Sequence, residues 1–133
     1  MVYSLLRLGF EDDPRVHQAI DWITDYQRFD DGIEDAPKGW PYDRFPRCWG
    51  RHTCHMGVVK VLKALAELPP ERRSKKVRGI VETGAEHMLK HRIYRRSHDP
   101  SLVSIPEWLQ FGFPRMVGTD ALDIGGFAKA WIQ

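Results

Sequence analysis

The sequence predicts an all-α fold, and three observations carry that prediction. Apolar residues recur at spacings of three and four over 16–27, 58–68 and 77–89. Prolines and capping residues punctuate these stretches, and the apolar–polar alternation of a half-buried strand is almost absent. At 133 residues and 15.5 kDa, with 42% hydrophobic and 29% charged residues, the chain has the composition of one globular domain rather than several. No window approaches the roughly 20 consecutive apolar residues of a bilayer span, so no membrane span is expected. The segment Met1-Val-Tyr-Ser-Leu-Leu-Arg-Leu-Gly lacks the basic and long apolar regions of a secretion signal, which predicts a cytoplasmic chain.

Tyr3 to Phe10 reads as the end of a short helix. Glu11-Asp12-Asp13-Pro14 then offers an N-cap aspartate with proline at the first helical position. Val16, Ala19, Ile20, Ile23 and Tyr26 or Gln27 form one stripe of a helix ending near Arg28. A long loop from Asp30 to Arg51 carries Gly32, Gly39, Gly50, three prolines and the aromatics Trp40, Tyr42, Phe45 and Trp49. Its aromatic content predicts an ordered, packed-down loop. Thr53 to Leu68 is a helix, with Val58, Val61, Leu62, Leu65 and Leu68 in register, His52 or Thr53 as N-cap, and Pro69-Pro70 as the stop.

A further helix starts between Glu71 and Ser74 and runs to Arg92 or Tyr94, with Gly84 and Ala85 leaving room for close helix contact. Ser104 and Glu107 fit a capping box before a short helix at 108–111, and a last helix starts at Thr119 or Asp120 and runs toward Gln133. Together these make one domain over 1–133: a hairpin at 1–28, a loop at 29–52, a second hairpin at 53–94 and short helices at 104–133.

Twenty basic and eighteen acidic residues give a net charge of +2, unevenly placed. The basic run at 72–78 lacks the interleaved aromatics of a single-strand binder, so it reads as a solvated helix face and no nucleic-acid partner is expected.

The densest chemical feature is Cys48-Trp-Gly-Arg-His52-Thr-Cys54-His55. Thiolate sulfur and imidazole nitrogen are the ligands zinc prefers, which makes Cys48, His52, Cys54 and His55 candidate metal ligands. His91, at the end of the second hairpin, and His98 with Asp99 just after it are candidates to reach the same end of the domain. A second reading stays open: Cys54 as the first core residue of its helix and His55 as a neutral imidazole at the positive end of the helix dipole. His91, Arg92, Tyr94, Arg95, Arg96 and His98 read either as a cationic pocket for a diphosphate or as the cationic last turn of a helix.

Ala19-x-x-Trp22-Ile23-x-x-x-Gln27-x-x-x-x-Gly32 lays over Gly84-x-x-His87-Met88-x-x-x-Arg92-x-x-x-x-Ser97, so the chain reads as tandem helical hairpins. With Trp40 after an insertion, Trp22, Gln27 and Gly32 resemble the Gln-Trp repeat of squalene-hopene cyclases, in which the glutamine fastens helix ends and plays a structural part. Arg92 and Ser97 stand where the second copy would have glutamine and glycine.

The resemblance implies an arc of an α/α toroid, the fold shared by terpenoid cyclases and protein prenyltransferases. The chain supplies about four or five helices plus the long ordered loop, and a closed ring needs roughly a dozen. A partner chain or self-association is therefore expected to complete it. The Asp-x-Asp-Asp acid of the cyclases is absent, so the resemblance names no catalytic residue and implies a domain not catalytic alone. It implies an isoprenoid-like apolar ligand lined by Trp40, Trp49, Trp108 and Phe111, which read equally as core and loop anchors. Protein prenyltransferases hold zinc with Asp, Cys and His, a spacing this chain does not reproduce. The alternative function is a non-catalytic interaction module with a Cys/His zinc site.

Overall fold

The aspartate before Pro14 does what its position requires. In the computed structural model, which describes residues 1–32, 35–96 and 98–110, Asp13 is the N-cap of helix α2 (Pro14–Tyr26), and its carboxylate accepts from the Arg15 amide at 2.8 Å. A short α1 (Val2–Arg7) precedes it. The long loop contains one turn of helix, α3 (Pro46–Trp49), which sequence periodicity could not show because four residues make no stripe. Helix α4 (His55–Ala66) and helix α5 (Lys75–Lys90) follow, separated by a 3-10 turn at Pro70–Arg72, and a second 3-10 turn spans Pro106–Leu109. The described residues are thus mostly helical, with only isolated bridges at Asp31–His52 and Arg95–Val103. None of their helices is long and apolar enough to cross a membrane. The expected helix at 119–133, together with Ser97 and Phe111, lies outside the described residues.

Helix α1 packs on α2 and α4, α4 packs on α5, and α5 packs on α2. The core is the shared apolar stripe of these helices: Val58, Val59, Leu62 and Leu65 of α4 are fully buried, with Val81 and Met88 of α5 against them. Gly84 permits a close approach of α5 to α4 and to Phe29. A methyl group built there would meet Leu62 Cδ2 at 2.9 Å and Phe29 Cε1 at 2.9 Å.

Helix ends are closed by identifiable groups. Ser74 Oγ accepts from the Val77 amide at 3.2 Å, capping α5. Arg73 donates to the carbonyls of Leu68 (2.8 Å) and Ala66 (2.9 Å), satisfying the end of α4. Two expected caps are placed differently. The N-cap of α4 is Cys54, without a side-chain hydrogen bond, because the Thr53 hydroxyl accepts from the Asp30 amide (2.6 Å) and donates to the Arg28 carbonyl (3.2 Å). Ser104 does not cap the turn at 106, whose N-cap is Ile105; the Ser104 amide donates to the Tyr94 carbonyl at 2.7 Å.

The basic run at 72–78 is largely engaged: Arg72 pairs with Glu11 and Asp12, Arg73 with the carbonyls of α4, and Lys76 with Asp25.

Candidate metal centre

The apolar stripes of α4 and α5 end in histidine. On α4 the buried positions His55, Val58, Val59 and Leu62 put His55 at the head of the stripe. On α5, Val77, Val81, Gly84 and Met88 lead to His87 and His91, four residues apart on one face. Because α4 and α5 form a hairpin joined through residues 67–74, the start of α4 meets the end of α5. The three imidazoles converge there, with ring centroids 5.6 Å (His55–His87), 5.5 Å (His55–His91) and 4.8 Å (His87–His91) apart. One nitrogen from each lies within 4.8 Å of the others. All three are buried, at 5%, 7% and 3% exposure respectively.

A fourth group reaches them from the loop. Arg28 pairs with Asp30 and donates to the Gly50 carbonyl at 3.1 Å, while the Thr53 amide donates to the Asp30 carbonyl at 2.9 Å. Asp30 Oδ1 accepts from the Gly32 amide at 2.8 Å, a turn in which Gly32 adopts φ +84. These contacts stitch 28–32 to 50–53 and aim Asp31 at the histidines. Asp31 Oδ1 lies 2.6 Å from His91 Nε2 and 3.7 Å from His87 Nδ1, and Oδ2 accepts from Lys90.

The end of α5 fixes the fifth side of the site. Arg92 (φ 47) and Ile93 (φ 71) are left-handed, which lets the Ile93 amide reach back to the Met88 carbonyl at 2.7 Å. The chain then turns back, and the buried Trp108 lies with its ring 6.3 Å from His55, while the Phe29 ring lies 6.0 Å from His87.

Burial favours the neutral form of His55 and His87. Burial, reinforced by the charges His87 and His91 would carry, pushes His55 down to about 4. Burial also lowers His87, against the pull of Asp31. Burial pushes Asp31 up, but hydrogen bonds from Lys90 and His91 outweigh it, and its carboxyl sits below the usual carboxylate range. Asp31 is therefore an anion, the opposite of the proton-donating carboxyl a cyclase acid must be.

Burial without partners is the unusual feature. Both ring nitrogens of His55 and Nε2 of His87 are buried with no hydrogen-bond partner. Each such atom costs roughly 1–3 kcal/mol. Three imidazoles that bring one nitrogen each within 4.8 Å of the others suit a divalent transition metal. Asp31 holds His91 Nε2 and faces His87 Nδ1, and a carboxylate on the ring nitrogen that does not bind metal orients a histidine ligand.

Among the residues proposed from sequence, His55 and His91 belong to this group, while His87 and Asp31 join them unforeseen. The signal for His87 is the His87-x-x-x-His91 spacing, and Asp31, one of two adjacent loop acids before Gly32, carries no comparable signal. Cys48, His52, Cys54 and His98 lie outside this group. The His52 and His98 rings are tilted by 52° with centroids 4.7 Å apart, and with Cys54 and His55 they line one cleft. Cys48 is exposed on α3.

Three of the four expected pocket aromatics lie among the described residues. Trp40 and Trp49 pack edge-on against Trp22, at 5.5 and 5.6 Å, whereas Trp108 lies beside His55. Gln27 is the C-cap of α2, and its amide donates to the Arg28 carbonyl at 2.7 Å. Gly32 lies directly under the His52 ring. Neither a protein-family model, nor a curated protein, nor a solved structure matches the chain.

Proposed function

We propose that this chain is a metal-binding helical domain, in which His55, His87 and His91 hold a zinc-class ion and Asp31 orients them. The carrying observation is the set of three buried histidines whose nitrogens lie within 4.8 Å of one another, with His55 Nδ1 and Nε2 and His87 Nε2 lacking any other partner. An ion there ties α4, α5 and, through Asp31, the long loop into one unit. Three nitrogen ligands leave a fourth position for water or another ligand.

The tandem-hairpin reading accompanies this one. Its support is the pairing of α1 with α4 and of α2 with α5, first helix on first and second on second, as stacked repeats pack. On that reading the chain is an arc of an α/α toroid completed by self-association or a partner chain.

Metal analysis of purified protein tests the centre. We expect close to one zinc per chain, lost on dialysis against a chelator and absent from a His87→Ala, His91→Ala double variant, with visible absorption on cobalt substitution. A wild type that stays metal-free after incubation with zinc overturns the proposal.

A further inference from the structure

The chain has two cysteines, Cys48 and Cys54, and the fold brings them together outside the histidine group. Cys48 is carried by α3, which is fixed by its neighbours: Trp49 packs edge-on against Trp22 at 5.6 Å, and the Gly50 carbonyl accepts from Arg28 at 3.1 Å. Gly50 closes the turn after α3, where a methyl group would fall 2.3 Å from the Pro46 carbonyl oxygen. The chain then returns to Cys54 through Thr53, whose amide donates to the Asp30 carbonyl at 2.9 Å. These anchors leave the two thiols within hydrogen-bonding reach of each other.

Both cysteines line one open cavity of about 410 Å3, and Met56 lines it with them. Gly57 forms part of the same wall. A methyl group built there would touch Cys54 Cβ at 3.7 Å and Sγ at 4.0 Å, so glycine leaves the Cys54 sulfur uncovered on that side. Cys48 and Met56 are exposed and Cys54 is half-buried, which gives an ion access to the sulfurs from solvent. Among the described residues no histidine lines this cavity; His52 and His55 line the neighbouring cleft, which Cys48 does not.

Sulfur donors without imidazole decide the kind of ion. Structural zinc sites take four ligands from thiolate, imidazole and carboxylate, whereas thiolates joined by a thioether are the soft set that selects copper(I). Burial, followed by the charge and hydrogen bond of Cys54, pushes the Cys48 thiol up. A cation between the sulfurs replaces the shared proton and relieves that repulsion. Lys60, on the same wall, sets a positive charge against the net negative charge of a monovalent ion on two thiolates.

We propose that Cys48, Cys54 and Met56 form a soft-metal site for a monovalent ion of the copper(I) class. Binding releases one proton from each thiol to solvent and forms two bonds from copper to thiolate and one to the thioether; no electron is transferred. The site goes beyond the histidine centre and does not require it, because it shares no ligand with His55, His87 and His91.

Reduced protein, its zinc content measured first, is titrated anaerobically with copper(I) in competition with a chromophoric chelator. We expect one copper per chain, with ultraviolet absorption from thiolate to copper. Cys48→Ser, at an exposed position, should weaken binding by at least about 100-fold, because a hydroxyl is a hard donor. Met56→Leu should weaken it by about tenfold, a thioether being the weaker of the two sulfur donors. The His87→Ala, His91→Ala double variant should bind copper as the wild type does. Absence of binding, retention of copper by a Cys48→Ser, Cys54→Ser double variant, or unaltered affinity in Met56→Leu would overturn the site. Loss of copper from a histidine double variant that keeps its helicity would also overturn it, by assigning the ion to the histidine centre. Because zinc content is read separately, failure of this site and failure of the histidine centre are distinguishable.

Discussion

Asp31 Oδ1 and His91 Nε2 stand 2.6 Å apart, joining the tip of an irregular loop to the last turn of a helix sixty residues further along the chain. The same carboxylate accepts from Lys90 and faces His87, so one side chain sets the orientation of two imidazoles. Replacing Asp31 by Asn keeps its size and removes the charge. We expect Asp31→Asn to retain the fold and to weaken zinc binding by about 10- to 100-fold, the usual cost of losing a carboxylate that orients ligand histidines, measured by competition with a chromophoric chelator. Unchanged affinity would show that the carboxylate does not orient the ligands.

A second prediction concerns pH. The side-chain hydrogen bond from Arg15, with its backbone amide, holds Asp13 at about 2, below the ordinary 3.8. A carboxyl whose folded value is lower than its unfolded one contributes stability above the unfolded value and loses it as pH falls through the folded one. The contribution of Asp13 is therefore present at neutral pH and fades between about pH 4 and 2. Comparing thermal midpoints of wild type and Asp13→Asn over that range should show the wild-type advantage shrinking as acid is added. A pH-independent difference would count against the assignment.

Gly84 supplies a packing test. A methyl group there falls 2.9 Å from both Leu62 Cδ2 and Phe29 Cε1, side chains already held in the core. Gly84→Ala gains helix propensity, but overpacking outweighs it, and we expect a net loss of about 1–3 kcal/mol in urea unfolding. A stabilised variant would mean that α4 and the loop yield more readily than their packing implies.

The cap of α5 is the simplest case. Ser74 accepts from the Val77 amide at 3.2 Å and touches no part of the metal centre. Ser74→Ala should cost about 1 kcal/mol and leave metal content unchanged.

Helices α2, α4 and α5 were legible in the sequence because their signals are local: a stripe of apolar residues, the Asp13-Pro14 start and the Pro69-Pro70 stop. The histidine group was less legible because it is assembled across the chain. His52, Cys54 and His55 are neighbours in sequence, yet the turn from loop into helix sends only His55 inward and leaves the others on the cleft. Asp31 is indistinguishable from a turn acid until residues 28–32 are seen stitched to 50–53. The His87 and His91 pair was the available clue, since two histidines four apart share a helix face whatever the tertiary fold.

The position of the histidines also changes what kind of object the second hairpin is. Its helices are joined covalently through residues 67–74, and His55 meets His87 and His91 at the opposite end. An ion bridging positions 55 and 91 closes a ring, in the manner of a cross-link that removes about 4 kcal/mol of chain entropy from the unfolded state. A hairpin fastened at one end unzips from its free end, whereas a ring has no free end from which to begin. The metal-loaded hairpin should exchange its amide hydrogens as one block, and the metal-free hairpin should fray first at His55 and Lys90, progressively toward the turn.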